Sequence, residues 1–317
     1  MNGKRIGQII DPTGMGKSFI AQSKIALNIL QAEEPTVYSM ASPTKVLGAQ
    51  LLTDTMVNMA KLRIEKVSFV TLNSGIQTTL RPYSRQQIRK YIGQDYIIER
   101  STTSKEKLKE IIQKNKEKGY HTIVSSTYHS IHRLLQAVHM LGIKIKTHIN
   151  DEPQKMVSNQ FNELSSDEFK EPDDPEFNID QHCKNLQAHC EEIFNFTATP
   201  KKTAHIDGIG MQNEKRFGPI LYSITEKEAY KLGRKVPPRL VRLKGLDFEV
   251  DNPKSMGLFV SLTFLGFQQQ WTKYDRDMPV RLLVDTGGCD RIRWFMESEE
   301  YTLLKKRGIN IAHCDST

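Results

Sequence analysis

The chain has 317 residues, of which 38% are apolar, and 45 Lys and Arg stand against 37 Asp and Glu, giving a formal net charge of +8. That apolar share excludes a disordered or collagen-like chain, and no stretch approaches the roughly 20 uninterrupted apolar residues a membrane-spanning helix needs. The length accommodates two domains of ordinary size. Met1–Ile6 lacks the apolar run of a secretory signal. Four cysteines, Cys183, Cys190, Cys289 and Cys314, are too few and too scattered for a disulfide framework. The expectation is a soluble cytoplasmic protein with no membrane partner. The charge is uneven: between Phe161 and Glu192 ten acidic residues face only Lys170 and Lys184, a local charge of −8, which leaves the rest of the chain at +16. A field of that sign favours phosphate polymers.

In chain order, short β-rich runs alternate with longer amphipathic stretches, the signature of βαβ units around a parallel sheet. Arg5–Ile10 reads as a strand, Lys17–Leu30 as a helix, Thr36–Met40 as a strand, Lys45 to about Leu62 as a helix and Lys66–Leu72 as a strand. Lys105–Lys118 follows as a charged surface helix, then strand His121–Ser125, helix His129–Met140, strand Ile143–Ile149 and strand Ile193–Thr197. The fold class is therefore α/β, with a first domain over residues 1–210 that carries an acidic loop insertion at about 157–180. Residues 211–250 read as a linker containing a short helix, Glu226–Leu232, and a strand-like Arg239–Leu243. Residues 251–317 read as the first part of a second α/β domain: helix Ser255–Lys273, strand Val280–Val284, helices Cys289–Glu297 and Thr302–Arg307, and strand Ile309–His313.

The strongest local signal is Asp11-Pro12-Thr13-Gly14-Met15-Gly16-Lys17-Ser18, between a strand and a helix. A phosphate loop needs glycines where backbone N–H groups must point at an anion, and a helix N-terminus behind them. It also needs a Lys to reach the β and γ phosphates and a hydroxyl for Mg²⁺. Thr13, Gly14, Met15, Gly16, Lys17 and Ser18 supply these parts, so ATP and Mg²⁺ are the expected cofactors. The first position, commonly Gly or Ala, is Asp11. Asp151-Glu152-Pro153-Gln154 follows a strand, on the ligand side of a parallel sheet. There Asp151 can orient Mg²⁺ with Ser18, and Glu152 can polarise an attacking water. Thr197 and Thr199 follow another strand, where their hydroxyls can bridge the acidic pair to the rest of the site. His182-Cys183 and His189-Cys190 contain zinc ligands by type. Seven residues on a helix separate equivalent positions by roughly 10 Å, too far for one ion, and two half-buried thiols are the better account. Trp271 and Trp294 read as packing residues.

In order and spacing these motifs resemble superfamily 2 helicases and translocases, the DExH/DEAD-like ATPases with two RecA-like domains, in their restriction-type or phage-type form. The resemblance rests on Pro12–Ser18, Ser42–Leu51, Asn73-Ser74-Gly75, Ser126–Ser130, Asp151–Gln154, Thr197–Thr199, the passage from Phe217 to Arg239, and Val280–Phe295. It implies an ATP-dependent helicase or translocase acting on nucleic acid, DNA more than RNA, in a bacterial or phage-infected cell. It implies catalytic roles for Lys17, Asp151, Glu152 and Gln154, and coupling of hydrolysis to domain movement by Thr197 and Thr199. It also implies nucleic-acid contacts at Pro43, Thr44, Lys45, Ser74, Gly75, Thr127 and Tyr128, although Ser42 or Thr44 can equally serve as a plain helix cap. Two family features are missing from these residues, the adenine-recognising segment upstream of the loop and the arginine-finger helix of the second domain. Weak turnover by this chain alone is thus expected, with a partner chain supplying the rest of the second domain. A non-catalytic ATP-binding subunit and a P-loop kinase remain as alternatives.

Overall fold

A computed structural model describes residues 5–72, 96–99, 101–157, 178–202, 210–234, 252–272, 289–309 and 311. The chain divides into two compact units, Met1–Pro237 and Pro238–Thr317.

The first unit is built on eight strands, β1 (Arg5–Ile10), β2 (Val37–Ser42), β3 (Val67–Leu72), β4 (Tyr96–Ile98), β5 (His121–Thr127), β6 (Ile145–Asp151), β7 (Cys190–Thr197) and β8 (Ile220–Ser223). They form one sheet in the order β4-β3-β5-β2-β6-β7-β1-β8, and every pairing is parallel. Parallel neighbours need crossovers, and these place helices on both faces: α1 (Lys17–Leu30), α2 (Lys45–Lys61), α3 (Lys105–Glu117), α4 (Ile131–Met140) and α5 (Ile179–His189). Two short helices, α6 (Glu214–Phe217) and α7 (Glu226–Lys231), flank β8. The result is an α/β architecture, an all-parallel sheet with helices on both faces.

The inner strands are buried on both faces: every residue of β2 and of β3 is buried, including the small polar Ser39, Ser42, Ser68 and Thr71. On one face Ile25, Met40, Met56, Phe69, Ile149 and Phe196 pack together. On the other, Leu108, Leu134, Val138, Leu186 and Ile193 do so. Helix ends follow local chemistry. The hydroxyl of Ser104 accepts from the Lys107 N–H at the start of α3, where Glu106 lies in the first turn and Lys114 and Lys116 in the last. Those charges complement the helix dipole.

The structure departs from the sequence-based expectation chiefly at the sheet edges. Residues 211–234, expected as linker, belong to the first unit, because Ile220–Ser223 adds β8 beside β1. All four β8 residues are exposed and show no apolar–polar alternation, though the Leu221 side chain lies over Gly7 of β1. β4, three residues long, is the other unexpected edge. The acidic insertion, Arg239–Leu243 and Val280–Val284 lie outside the described residues apart from the flanks of the insertion, and most of Ile309–His313 does too.

A polar line crosses the interior of the sheet. The Ser39 hydroxyl and His148 Nδ1 are 2.7 Å apart, and His148 Nε2 lies 2.9 Å from Asn150 Oδ1. Asn150 Nδ2 donates to Asn195 Oδ1 at 2.9 Å, and Asn195 Nδ2 donates to the Phe217 carbonyl at 2.8 Å. Beside it, Gln8 Nε2 donates to the carbonyls of Met211 and Gly218 at 3.0 and 2.6 Å. The line ties β2, β6, β7 and β1 to the segment around α6. Gly218 makes the close approach possible: its φ is +77°, and a Cβ would stand 2.3 Å from the Ile6 carbonyl oxygen.

In the second unit, α8 (Pro253–Thr272), α9 (Cys289–Met296) and α10 (Glu299–Lys306) bury Val260, Phe295 and Leu304 together. Trp294 packs against this cluster, in keeping with its reading as a packing residue. Phe295 and Tyr301 meet edge to face with ring centres 5.3 Å apart.

Replacing Asn195 by Leu leaves the Asn150 amide and the Phe217 carbonyl without their partners in a dry interior. The expected cost is about 2–4 kcal/mol, read as a lower urea midpoint at unchanged slope. A change below about 0.5 kcal/mol would show that the polar line does not hold these strands together.

Candidate functional site

Three loops leave the carboxyl edge of the sheet at the same height because β7 runs between β6 and β1. Ile10 is level with Thr197, and Asp151 with Phe196. The ladder continues past the strand ends, with the Asp11 N–H donating to the Thr197 carbonyl and the Glu152 N–H to the Phe196 carbonyl, both at 2.9 Å. The phosphate-loop sequence, the Asp-Glu pair and the Thr-Ala-Thr turn are thereby placed side by side.

In the first loop, Gly14 and Gly16 have φ of +85° and +94°, a left-handed conformation that favours glycine. Nothing lies within 4 Å of the point where a Cβ would stand at either residue, so the glycines serve backbone conformation and leave the cradle open. Gly16 caps α1 without any side-chain hydrogen bond, and no acidic residue lies in the first turn. A helix start of this kind, with no side chain spent on its N–H groups, suits an anion. Lys17 is buried, and its Nζ donates to the Asp11 carbonyl at 2.9 Å. Asp11 is only 3% exposed, and its Oδ1 has no hydrogen-bond partner. Burial raises its pKa, while Lys17 and then Arg234 pull it the other way.

Across β7, Glu152 adopts the left-handed region with φ 58°, held by its bond to Phe196 and by the 3-10 turn Pro153–Lys155. Its carboxylate accepts from Gln154 Nε2. Gln154 Oε1 in turn accepts from the Thr197 hydroxyl at 2.6 Å, and Thr197 Oγ1 accepts from the Thr199 N–H at 3.1 Å. Glu152, Gln154, Thr197 and Thr199 are thus joined into one unit, and Asp151, next to Glu152, feels the charges of Glu152 and Lys17. Asp151 has its pKa pushed up to about 6, first by burial and then by the Glu152 charge, with Lys17 opposing.

The residues expected to meet nucleic acid divide. Pro43, Thr44 and Lys45 lie half-buried at the carboxyl end of β2, where the Thr44 hydroxyl accepts from the Leu47 N–H at 3.2 Å and so caps α2. Ser74 and Gly75 lie outside the described residues. Thr127 and Tyr128 turn their side chains inward, at 2% and 1% exposure. The Thr127 and Ser130 hydroxyls are 3.0 Å apart. The Tyr128 ring packs with Ala41, Met156, Val157, Met211 and Phe217, and its hydroxyl donates to the Asp151 carbonyl at 2.5 Å. Only the backbone of that turn is left for a partner. Support of Asp151 by Tyr128 was not legible in the sequence, where nothing indicates which way a residue just past a strand will turn.

No family model and no curated protein matches the sequence. Among solved structures, a nuclease-deletion mutant of the Type ISP restriction-modification enzyme LlaGI, bound to a DNA substrate mimic, is similar at 17% identity and a TM-score of 0.49, over 83% of this chain and 21% of that one. The UvsW helicase of bacteriophage T4 gives 16% identity and a TM-score of 0.38, over 70% and 55% of the two chains. The Hef helicase domain of Pyrococcus furiosus gives 15% and 0.40, over 97% and 53%. The chain therefore spans about a fifth to just over half of these proteins. Among the described residues, no helix is long and apolar enough to cross a membrane.

The raised Asp151 pKa has a consequence for stability. The folded state holds this proton more tightly than the unfolded chain, whose value is near 3.8, so charging Asp151 costs stability as pH rises from about 4 through about 6. Asp151→Asn removes that cost. In Mg²⁺-free buffer the variant should match wild type near pH 4 and exceed it by about 2–3 kcal/mol at pH 7.5. The buried His148 and His182, their pKa values pushed down to about 4 and about 3 by burial, give the opposite slope in both proteins and cancel in the difference. A difference that does not change between pH 4 and 7.5 would contradict the assignment.

Proposed function

We propose that the chain is the ATP-binding part of a nucleic-acid helicase or translocase. One observation carries the reading: the Glu152–Gln154–Thr197–Thr199 chain of hydrogen bonds stands one strand away from a glycine loop that holds Lys17 in reserve. Lys17 and the N–H groups of Gly14–Ser18 bind the phosphates. The hard oxygens of Ser18 and Asp151 suit Mg²⁺. No group of three or more His, Cys, Asp or Glu side chains among the described residues could hold a metal by itself. That donor set fits an ion that takes one or two carboxylates together with substrate phosphates. Mg²⁺, when bound, would neutralise charge on the phosphates. Glu152 orients and polarises the attacking water, and Gln154 and Thr197 relay the state of that water to the Thr199 turn.

The nucleic-acid side of the proposal rests on charge and on place. The chain outside Phe161–Glu192 carries +16, and Pro43, Thr44 and Lys45 sit at the same carboxyl edge as the phosphate loop. Hydroxyls, backbone N–H groups and helix starts bind phosphates without reading sequence. DNA is the proposed ligand, with affinity that falls steeply as salt rises.

The test is ATP hydrolysis measured with and without single- and double-stranded DNA. Lys17→Ala should lose the DNA-stimulated turnover, and Glu152→Gln should keep ATP binding while losing about 10²–10⁴-fold in turnover. Equal stimulated hydrolysis by wild type and Lys17→Ala would overturn the proposal.

A further inference from the structure

The phosphate loop contains one charged group that the proposed function does not use. Asp11 occupies the position where such loops need only a small residue, is almost fully buried, and has an Oδ1 with no hydrogen-bond partner. An unpaired buried carboxylate beside a phosphate site is costly twice over, through its own desolvation and through repulsion of the incoming anion. Two cations act on it. Lys17 is one, but its Nζ is bonded to the Asp11 carbonyl and not to the carboxylate.

The other is Arg234, and the fold explains why it is there. β8 pairs with β1 up to Ser223, level with Ile10, and the Ile224 N–H donates to the Ile10 carbonyl at 3.0 Å. α7 therefore starts at the carboxyl edge of the sheet, beside the strand that feeds the phosphate loop. It is pinned there by Ala229, which is fully buried. The chain then reverses at Gly233, with the Arg234 N–H donating to the Ala229 carbonyl at 3.0 Å. The guanidinium ends up exposed, close enough to act electrostatically on the Asp11 carboxylate, and without a hydrogen bond or ion pair among the described residues. Three residues later the first unit ends at Pro237.

We propose that Arg234 is a phosphate-contacting residue of the nucleotide site, kept near the loop by Asp11 and drawn onto the phosphates of a bound nucleoside triphosphate. A guanidinium fork matches phosphate oxygens in a bidentate way, and a triphosphate outbids a single carboxylate for it. This rests on the nucleotide-site reading above and names a residue that the motif pattern does not contain.

The experiment is a titration of the full chain with fluorescent mant-ATP and Mg²⁺, for wild type, Arg234→Ala, Arg234→Lys, Asp11→Asn and Lys17→Ala. Arg234→Ala should weaken mant-ATP about 10-fold or more and mant-adenosine not at all, and Arg234→Lys should restore only part of the loss. Asp11→Asn should bind mant-ATP at least as tightly as wild type, since it removes a repulsive charge. Arg234 is exposed, so its variants should keep the wild-type unfolding midpoint. Wild-type affinity in Arg234→Ala, with binding lost in Lys17→Ala, would overturn this proposal and leave the nucleotide site standing. Wild-type affinity in Lys17→Ala would overturn the nucleotide site and the proposal together.

Discussion

The position of β7 between β6 and β1 is the constraint on which the rest depends. Parallel strands in register end at the same level, so whatever follows them emerges side by side. Here the register sets Ile10 beside Thr197 and Asp151 beside Phe196, and two backbone bonds carry the ladder one residue further on each side. A glycine loop, an acidic pair and a threonine turn from distant parts of the chain thereby become neighbours. A one-residue slip would point each of these side chains to the opposite face.

That register is secured by polar groups as well as by apolar packing. A parallel sheet buried on both faces gives its central strands little directional information, because any apolar side chain can pack against any other. The line from Ser39 through His148, Asn150 and Asn195 to the Phe217 carbonyl supplies direction. The members are matched to one another in a single alignment, and misalignment leaves several buried groups unpaired. Tyr128 plays a related part closer to the chemistry. Its hydroxyl on the Asp151 carbonyl fixes the backbone from which the carboxylate projects, in surroundings dry enough to hold that carboxyl well above its ordinary range.

How much of this was legible in the sequence follows from what each feature depends on. The glycine loop between β1 and α1 was readable because positive φ at Gly14 and Gly16 favours glycine there, and the inner strands because burial on both faces favours β-branched, aromatic and small residues. The edge strands β4 and β8 were not readable. Strands of three or four residues are too short to leave a periodic trace, and Ile220–Ser223 is exposed throughout. The inward turn of Tyr128 was not readable either, since the cluster that receives it gathers Ala41, Met156, Val157, Met211 and Phe217 from separate loops and strands. Asn195, set between Phe194 and Phe196, shows only that a polar residue interrupts an apolar strand. Its partners lie on β6 and beside α6. The closeness of Arg234 to Asp11 depends on β8, so it became visible only once that strand was placed.

The central claim is that the loop after β1 and the acidic pair after β6 form one site for a Mg²⁺-bound triphosphate. Its most direct test is a crystal structure of the chain with Mg²⁺ and a non-hydrolysable ATP analogue. The account predicts phosphate oxygens against the N–H groups of Gly14–Ser18, and Lys17 Nζ moved from the Asp11 carbonyl to a β or γ oxygen. It also predicts a metal about 2.0–2.1 Å from the Ser18 hydroxyl on the side facing Asp151. A triphosphate bound elsewhere, with Lys17 still on the Asp11 carbonyl, would contradict it.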